Sequence, residues 1–503
     1  MKNKYKYYLY CLLVSFIILM FTSKNSFLYP FNDWVDANAF FTMGKSMFQG
    51  VVPYKDLFEQ KGLILYFIYG IGSLISFKSF IGVFILEVIS FSIFLYFAHK
   101  IFCLFLDEKK SIILLPLLSS LICTSFAFTH GGGCEEFCFP YLCIGLYLFI
   151  KHFKKSKLTN KEIITIGTMS GIVLMMKYTL LGLFIGIGLF LFIDYLRQKK
   201  YKESIRFCLL FLLGMVIPIV PCLIYLGINH AIKDFIDCYF IINITSYGSV
   251  KVSIFVKLFK LVKGFMSTCF KNGIIVFILL ILFPLFISLF KTKKYFKISM
   301  IGIFLINIFF IFYGLLFYRY YLGPILIYMI LSLASIMYLI NKKFPEKKYK
   351  KIYNFLYIII PILCVFTSYY FSNYKEMICS SKDNFFQFEY AEYINKYDKP
   401  TLLNMGHLDA GLYTVSGIVP NTRFFEVQNI SYDRFPDNLD SMKENVINKD
   451  IKFILYYTRK DLNYVRKHDN YIFDNYELVK ERKTIFEGVK FNAYLFKLKE
   501  INN

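Results

Sequence analysis

The sequence predicts an α-helical polytopic membrane protein that carries a small α/β domain at its C-terminal end. Three observations lead there. Hydrophobic residues make up 57% of the 503 residues and mean hydropathy is +0.52, a balance that belongs to membrane chains and not to soluble ones. Apolar runs of roughly twenty residues recur, the length a helix needs to cross the ~30 Å hydrocarbon layer. Between them lie six stretches dense in Lys and Arg: Lys2 to Lys6, His99 to Lys110, Lys151 to Lys161, Arg197 to Lys202, Lys291 to Lys297 and Asn341 to Lys351. Basic residues in short loops stay in the cytoplasm, so the six stretches fix the threading.

The spans follow in order, approximately 7–23, 80–103, 111–129, 137–151, 163–176, 178–195, 205–228, 272–290, 298–316, 322–340 and 353–372. That is about eleven crossings, with the N-terminus cytoplasmic and the C-terminal segment extracytoplasmic. The first run follows a basic start without a small-residue cleavage site, so it reads as a retained span. The apolar run Gly62 to Phe77 is excluded by parity: if it crossed, the basic loops after it would face outward. It reads as an outer juxtamembrane helix. Lys251 to Gly264 is excluded too, because Lys257, Lys260 and Lys263 recur at helical spacing against Phe255, Leu258 and Val262, the pattern of an interfacial amphipathic helix.

Composition shifts near residue 372, giving an expected transmembrane domain over 1–372 and an extracytoplasmic α/β domain over 373–503. Thr401 to Met405 and Ile451 to Tyr457 read as buried strands. Phe385 to Lys396, Ala410 to Val415 and Ser441 to Asn448 read as helices.

The net charge of +24, from 58 basic and 34 acidic residues, would in a soluble protein suggest nucleic acid. Here the charge lies mainly between spans, where it meets anionic lipid headgroups; no nucleic-acid partner is expected. The 12 cysteines are scattered through apolar segments without paired spacing and read as small buried hydrophobes.

Chemistry is expected on the outer side. Asp33-Trp34-Val35-Asp36 follows the first span, and Asp36 opens an interfacial helix, either as an N-cap or as an acid at headgroup depth. Gly131 to Glu136 is a short glycine-rich loop ending in the adjacent acids Glu135 and Glu136; two such carboxylates repel unless one is protonated or meets a cation. With His130 they are the candidate ligands for a divalent metal, which needs about four converging groups. No cofactor is otherwise implied. Lys177, at a turn between two apolar helices, and Arg319, at the outer end of another span, are charges near hydrocarbon that need a cavity, a partner or snorkelling to the interface. Either suits a lipid-borne phosphate. Glu87, inside the second span, has no assigned partner.

Asp36-Ala37-Asn38-Ala39-Phe40, then Gly44-Lys45, Gly50, Pro53-Tyr54-Lys55-Asp56-Leu57-Phe58 and Lys61-Gly62 resemble the first outer loop of bacterial GT-C glycosyltransferases of the family 39-like group, related to protein O-mannosyltransferases and lipid A aminoarabinose transferases. Gly131 to Pro140, Arg319-Tyr320-Tyr321 with Pro324, Ser416-Gly417 and Arg423-Phe424-Phe425 are similar to later parts of that group. The resemblance implies a GT-C-like fold and transfer of a sugar from a polyprenyl-phosphate donor to an envelope glycan, glycolipid or protein, usually with inversion. It implies an acid as general base, matched by Asp36, and places Lys61 and Asp56 near the donor. Relatives often carry two adjacent acids where this chain has Val35-Asp36, with Asp33 three residues earlier, so the base is Asp33 or Asp36. Lys177, Arg319, Glu135 and Glu136 join Lys61 and Asp56 as candidates for binding donor phosphate. Asp36 and the paired glutamates are expected to share one outer vestibule. The rival classes are a lipid-linked-glycan flippase or transporter, which would not need clustered outer acids, and a polysaccharide polymerase or ligase, which would carry a large basic outer loop between late spans.

Overall fold

The computed structural model describes residues 2–128, 130–246 and 253–499, with the side chains of residues 2–4 excepted. Each expected span is helical over most of its described residues. The first four long or interfacial helices are α1 (Lys2–Thr22), α2 (Val35–Met47), α3 (Leu63–Ile75) and α4 (Ile81–Phe102). Among the described residues, seven helices are long and apolar enough to cross a membrane. The other expected spans are shorter, such as Glu108–Cys123, Phe139–Lys154 and Asn160–Leu174.

Local chemistry explains where the expected spans are interrupted. The run at 272–290 is two helices, Ile274–Ile281 and Phe283–Leu289, with Pro284 in the first turn of the second; proline cannot donate the hydrogen bond that would join them. The run at 322–340 begins as a 3₁₀ segment, Arg319–Tyr328, around Pro324, and turns α-helical over Met329–Lys343. The long run from Ile163 breaks at Lys177 as expected, through a 3₁₀ turn at Tyr178–Leu181. With 13 residues, α3 rises only ~20 Å, short of the hydrocarbon thickness. Of the amphipathic segment expected from Lys251, Lys251 and Val252 lie outside the described residues. The remainder belongs to a longer helix, Ile254–Lys271.

The chain divides into two compact units of three segments each. The first is Met1–Ser26, Ile85–Leu223 and Val250–Glu376; the second is Phe27–Phe84, Ile224–Ser249 and Met377–Asn503. In the first unit, helices Gly182–Arg197 and Lys294–Phe312 meet through small residues. A Cβ at Gly186 would stand 3.1 Å from the Ile303 Cα, and one at Gly182 would stand 2.9 Å from the Asn307 Cα. Glycine lets membrane helices approach this closely. The helix Tyr201–Ile228 instead leaves Ile205, Leu209, Leu212 and Leu213 more than half exposed, as a lipid-facing surface requires.

In the second unit a mixed four-stranded sheet has the order β1 (Leu402–Met405), β2 (Phe453–Thr458), β4 (Val489–Leu498), β3 (Tyr476–Phe486). β1 runs parallel to β2 with Leu402 opposite Phe453. β2 and β4 are antiparallel with Ile454 opposite Phe496. β3 and β4 form a hairpin closed by Glu487 and Gly488, both at positive φ, the backbone of a two-residue type I′ turn. The expected strands at 401–405 and 451–457 are β1 and β2; the hairpin is additional.

Candidate active site

Asp36 lies in the second unit, near the start of α2. It is not the N-cap: Trp34 occupies that position without a side-chain cap. The entry to the helix is instead shaped by Asn32, whose Oδ1 accepts the Trp34 amide at 3.1 Å, and by Asn38, whose Nδ2 donates to the Asn32 and Trp34 carbonyls at 2.9 Å each. One face of α2 is tied to the segment Asp409–Thr414. Thr414 Oγ1 donates to Asn38 Oδ1 at 2.7 Å, Thr42 Oγ1 to Asp409 Oδ2 at 2.7 Å, and Lys45 Nζ to the Tyr413 carbonyl at 2.5 Å. At 3.6 residues per turn, Asn38, Thr42 and Lys45 lie roughly opposite Asp36 around the helix. Asp36 therefore shares its face with Phe40, one turn on, and is half-buried.

Lys61 comes to that face from the loop before α3. Its ammonium stands 5.3 Å from the centre of the Phe40 ring and 3.5 Å from Glu59 Oε1. The loop is rigid because its polar groups satisfy one another. The Lys61 amide donates to Glu59 Oε2 at 2.8 Å and to the Tyr66 hydroxyl at 2.9 Å, Tyr66 donates to Glu59, and the Tyr54 hydroxyl donates to the Lys61 carbonyl at 2.8 Å. Asp56 closes the preceding turn, accepting the Val52 amide at 2.8 Å, and is exposed.

Behind Asp36 stands a buried acidic group that sequence reading missed: Glu59, Asp409 and Glu426. Glu426 Oε2 accepts the Asp409 amide at 2.5 Å, and its other oxygen accepts Gln428 Nε2 at 3.1 Å. Burial pushes the Glu426 carboxyl well above the usual carboxylate range, and the charges of Asp409, Glu59 and Asp36 add to the rise. Burial likewise lifts Asp409 to about 6, against the pull of the Gly411 amide, Thr42 and Lys45. Burial drops Lys45 to about 7 while Asp409 opposes the fall. Burial and Glu59 push the Tyr66 phenol far up. Glu59 precedes Lys61 by two residues, which was the one available signal. Asp409 and Glu426 are distant in sequence and carry none.

Asp33 takes different neighbours. It lines a cleft with Phe385, Phe386, Gln387, Tyr457 and Arg482, beside Tyr457, whose phenol is raised by burial and then by the Asp33 charge.

The other predicted residues belong to the first unit. Glu135 pairs with Lys177, whose ammonium also sits 4.0 Å above the Tyr321 ring. Glu136 lies beside the Glu87 carboxylate. Burial and then Glu87 push Glu136 well up. Glu87, without a partner in sequence, also accepts Ser23 Oγ at 2.8 Å and Asn25 Nδ2 at 3.0 Å. His130 is stacked on Tyr374 at 4.6 Å and hydrogen-bonded to its hydroxyl at 2.6 Å; burial and Lys24 hold it neutral. Arg319 is exposed over the Phe126 ring at 5.0 Å. His130, Glu135 and Glu136 are thus engaged with three different partners and do not converge on one metal position. Among the described residues no group of three His, Cys, Asp or Glu side chains is arranged to hold a metal ion.

The family model for dolichyl-phosphate-mannose-protein mannosyltransferase matches residues 60–225. The crystal structure of ArnT from Cupriavidus metallidurans in the apo state is similar over 96% of both chains, with TM-score 0.61 at 10% identity; the same protein bound to undecaprenyl phosphate gives 0.59 at 11%, again over 96% of both chains. Archaeal oligosaccharyltransferase AglB from Archaeoglobus fulgidus, in complex with an inhibitory peptide and a dolichol-phosphate, is similar over 90% of this chain and 69% of its own, with TM-score 0.50 at 10% identity. The fold is of the GT-C type. No curated protein matches the chain in sequence. In this GT-C chain the long apolar helices of the first unit are accompanied by a small C-terminal sheet that does not close into a barrel.

Proposed function

We propose that this chain is a membrane glycosyltransferase that moves a sugar from a polyprenyl-phosphate donor to a hydroxyl of a cell-envelope glycan, glycolipid or protein, on the outer face of the cytoplasmic membrane. The observation that carries this reading is the placement of Asp36 on the face of α2 that Lys61 shares, in a chain whose fold matches ArnT along nearly its whole length. ArnT's capture of undecaprenyl phosphate supports the donor class.

Asp36 is the general base. It takes the proton of the acceptor hydroxyl as that oxygen bonds to the anomeric carbon, while the bond from that carbon to phosphate breaks on the opposite face. The configuration inverts, and the lipid leaves as the phosphate. Lys61 stabilises the charge that grows on the leaving phosphate. Glu59 holds Lys61 in place through both its backbone amide and its ammonium. Lys177 and Arg319 are further donor-phosphate candidates, and Glu135 is the counter-ion that Lys177 exchanges for phosphate. On this reading the N-terminus is cytoplasmic and the C-terminal domain extracytoplasmic, as the basic-loop rule suggests. The segments of the second unit are largely those that the basic-loop rule assigns to the outer side.

The test is sugar release from a synthetic polyprenyl-phosphate sugar by purified protein. Asp36→Asn is expected to lower turnover by about 10²–10⁴-fold, with an unchanged melting temperature as the fold control. Full turnover by that variant, or transport without turnover by the parent, would overturn the reading.

A further inference from the structure

We propose that the cleft beside β3 is a binding site for the sugar units that flank the reacting hydroxyl of a glycan acceptor. This deepens the reading above and rests on it for the word acceptor, though not for the binding itself.

The cleft encloses about 350 Å³, within the usual range of small-molecule sites, roughly 300–1,000 Å³. Its walls combine flat rings with planar polar groups. Phe386 stacks on Tyr457 at 5.6 Å, and Tyr457 on Phe491 at 4.6 Å, so the aromatic wall is fixed. Asp33, Gln387 and Arg482 stand around it. Arg482 is itself steadied by Glu389 at 3.2 Å. A pyranose needs this combination, since its ring faces are apolar and its rim is a row of hydroxyls. A peptide would instead be held through paired main-chain groups.

Gln387 points more directly to a ligand. Its Nε2 donates to the Ala410 carbonyl at 2.7 Å, which fixes the amide so that the nitrogen faces that carbonyl. Its Oε1 has no hydrogen-bond partner although the residue is only 5% exposed. A buried acceptor left without a donor costs stability, and a hydroxyl in the cleft would satisfy it. Position adds the last step. Asp33 lines this cleft and Asp36 lies three residues later, in the first turn of α2, so one short stretch of chain joins the cleft to the base.

The chain's single tryptophan, Trp34, lies between the two acids and reports on the site. Purified protein would be titrated with neutral tetrasaccharides, namely β-1,4-linked N-acetylglucosamine, maltotetraose and β-1,4-mannotetraose, by calorimetry, with Trp34 emission read in parallel. At least one is expected to bind saturably and to shift that emission. Gln387→Leu, Asp33→Asn and Thr484→Ala, the last on the β3 wall of the cleft, are each expected to weaken binding by about tenfold, the value of one well-placed hydrogen bond, with unchanged melting temperature as the fold control. No saturable binding by any tetrasaccharide would overturn the proposal. So would equal binding by all three cleft variants, or tighter binding of an extended Ser/Thr-containing pentapeptide. Saccharide binding without any sugar transfer would leave this site standing and sink the transferase reading alone.

Discussion

Lys45 buries its ammonium against the carbonyl of Tyr413, with Nζ 2.5 Å from the oxygen, and so fastens to the C-terminal domain the helix whose other face carries Asp36. The charge has little solvent, and burial lowers the Lys45 pKa to about 7 from an unfolded value near 10.4. Between those values the unfolded chain holds a proton that the folded chain lacks, so this residue's contribution to stability grows as pH rises. The cost of the buried charge is complete below about pH 7. Lys45→Met should therefore be most stabilised relative to the parent near pH 6.5, and its advantage should shrink as pH rises toward 9. Melting curves of both proteins over that range, read as a difference so that other titrating groups cancel, check this.

Lys61 and Glu59 make a second prediction separable into binding and chemistry. Lys61→Ala removes the cation at the face of Asp36 and is expected to lower kcat/KM by about 10²–10³-fold, as loss of an electrostatic stabiliser does. Lys61→Arg should recover part of it. Glu59→Gln keeps a hydrogen-bond acceptor for the Lys61 amide but removes the counter-charge, so its effect should fall between those of parent and Lys61→Ala. Steady-state kinetics with a synthetic donor distinguish the three.

The glycine-rich loop is tightly constrained at Gly131. Gly131 has φ of +85°, and a Cβ there would run into the Ser23 side chain and stand 2.9 Å from Glu87 Oε1. Gly131→Ala should cost about 1–3 kcal/mol, from left-handed backbone strain and displaced hydrogen bonds. Gly50, also at positive φ but with open space around it, should lose only the smaller backbone share. Thermal unfolding of the two variants side by side tests the difference.

Much of the architecture was legible because hydrocarbon leaves few choices: the apolar runs became helices, and the basic-loop parity that removed Gly62 to Phe77 from the spans marked what became α3. Lys177 was legible as a turn because the same parity splits the apolar run around it. The hairpin β3–β4 was not, because β3 is an edge strand carrying Glu477, Lys480, Glu481, Arg482 and Lys483, and charge on an edge hides strand periodicity while guarding against aggregation. Asp409 and Glu426 were not legible either. Each becomes part of the Asp36 surroundings only through contacts such as Thr42 to Asp409, made across 367 residues of sequence.

Glu135 and Lys177 give a prediction that separates stability from function. Both are largely buried, and they form an ion pair. Removing one partner leaves the other charge in a poorly solvated site, at a cost of about 3–5 kcal/mol when a pair is fully buried; Lys177→Met alone should be the less stable of the two variants considered. Lys177→Met with Glu135→Gln removes both charges and should return most of the lost stability. If Lys177 serves only to neutralise Glu135, activity returns with stability. If Lys177 leaves Glu135 to hold the donor phosphate, the double variant stays folded and its apparent affinity for the donor remains low by about tenfold or more. Melting temperature and KM for the donor, measured on the same preparations, decide between them.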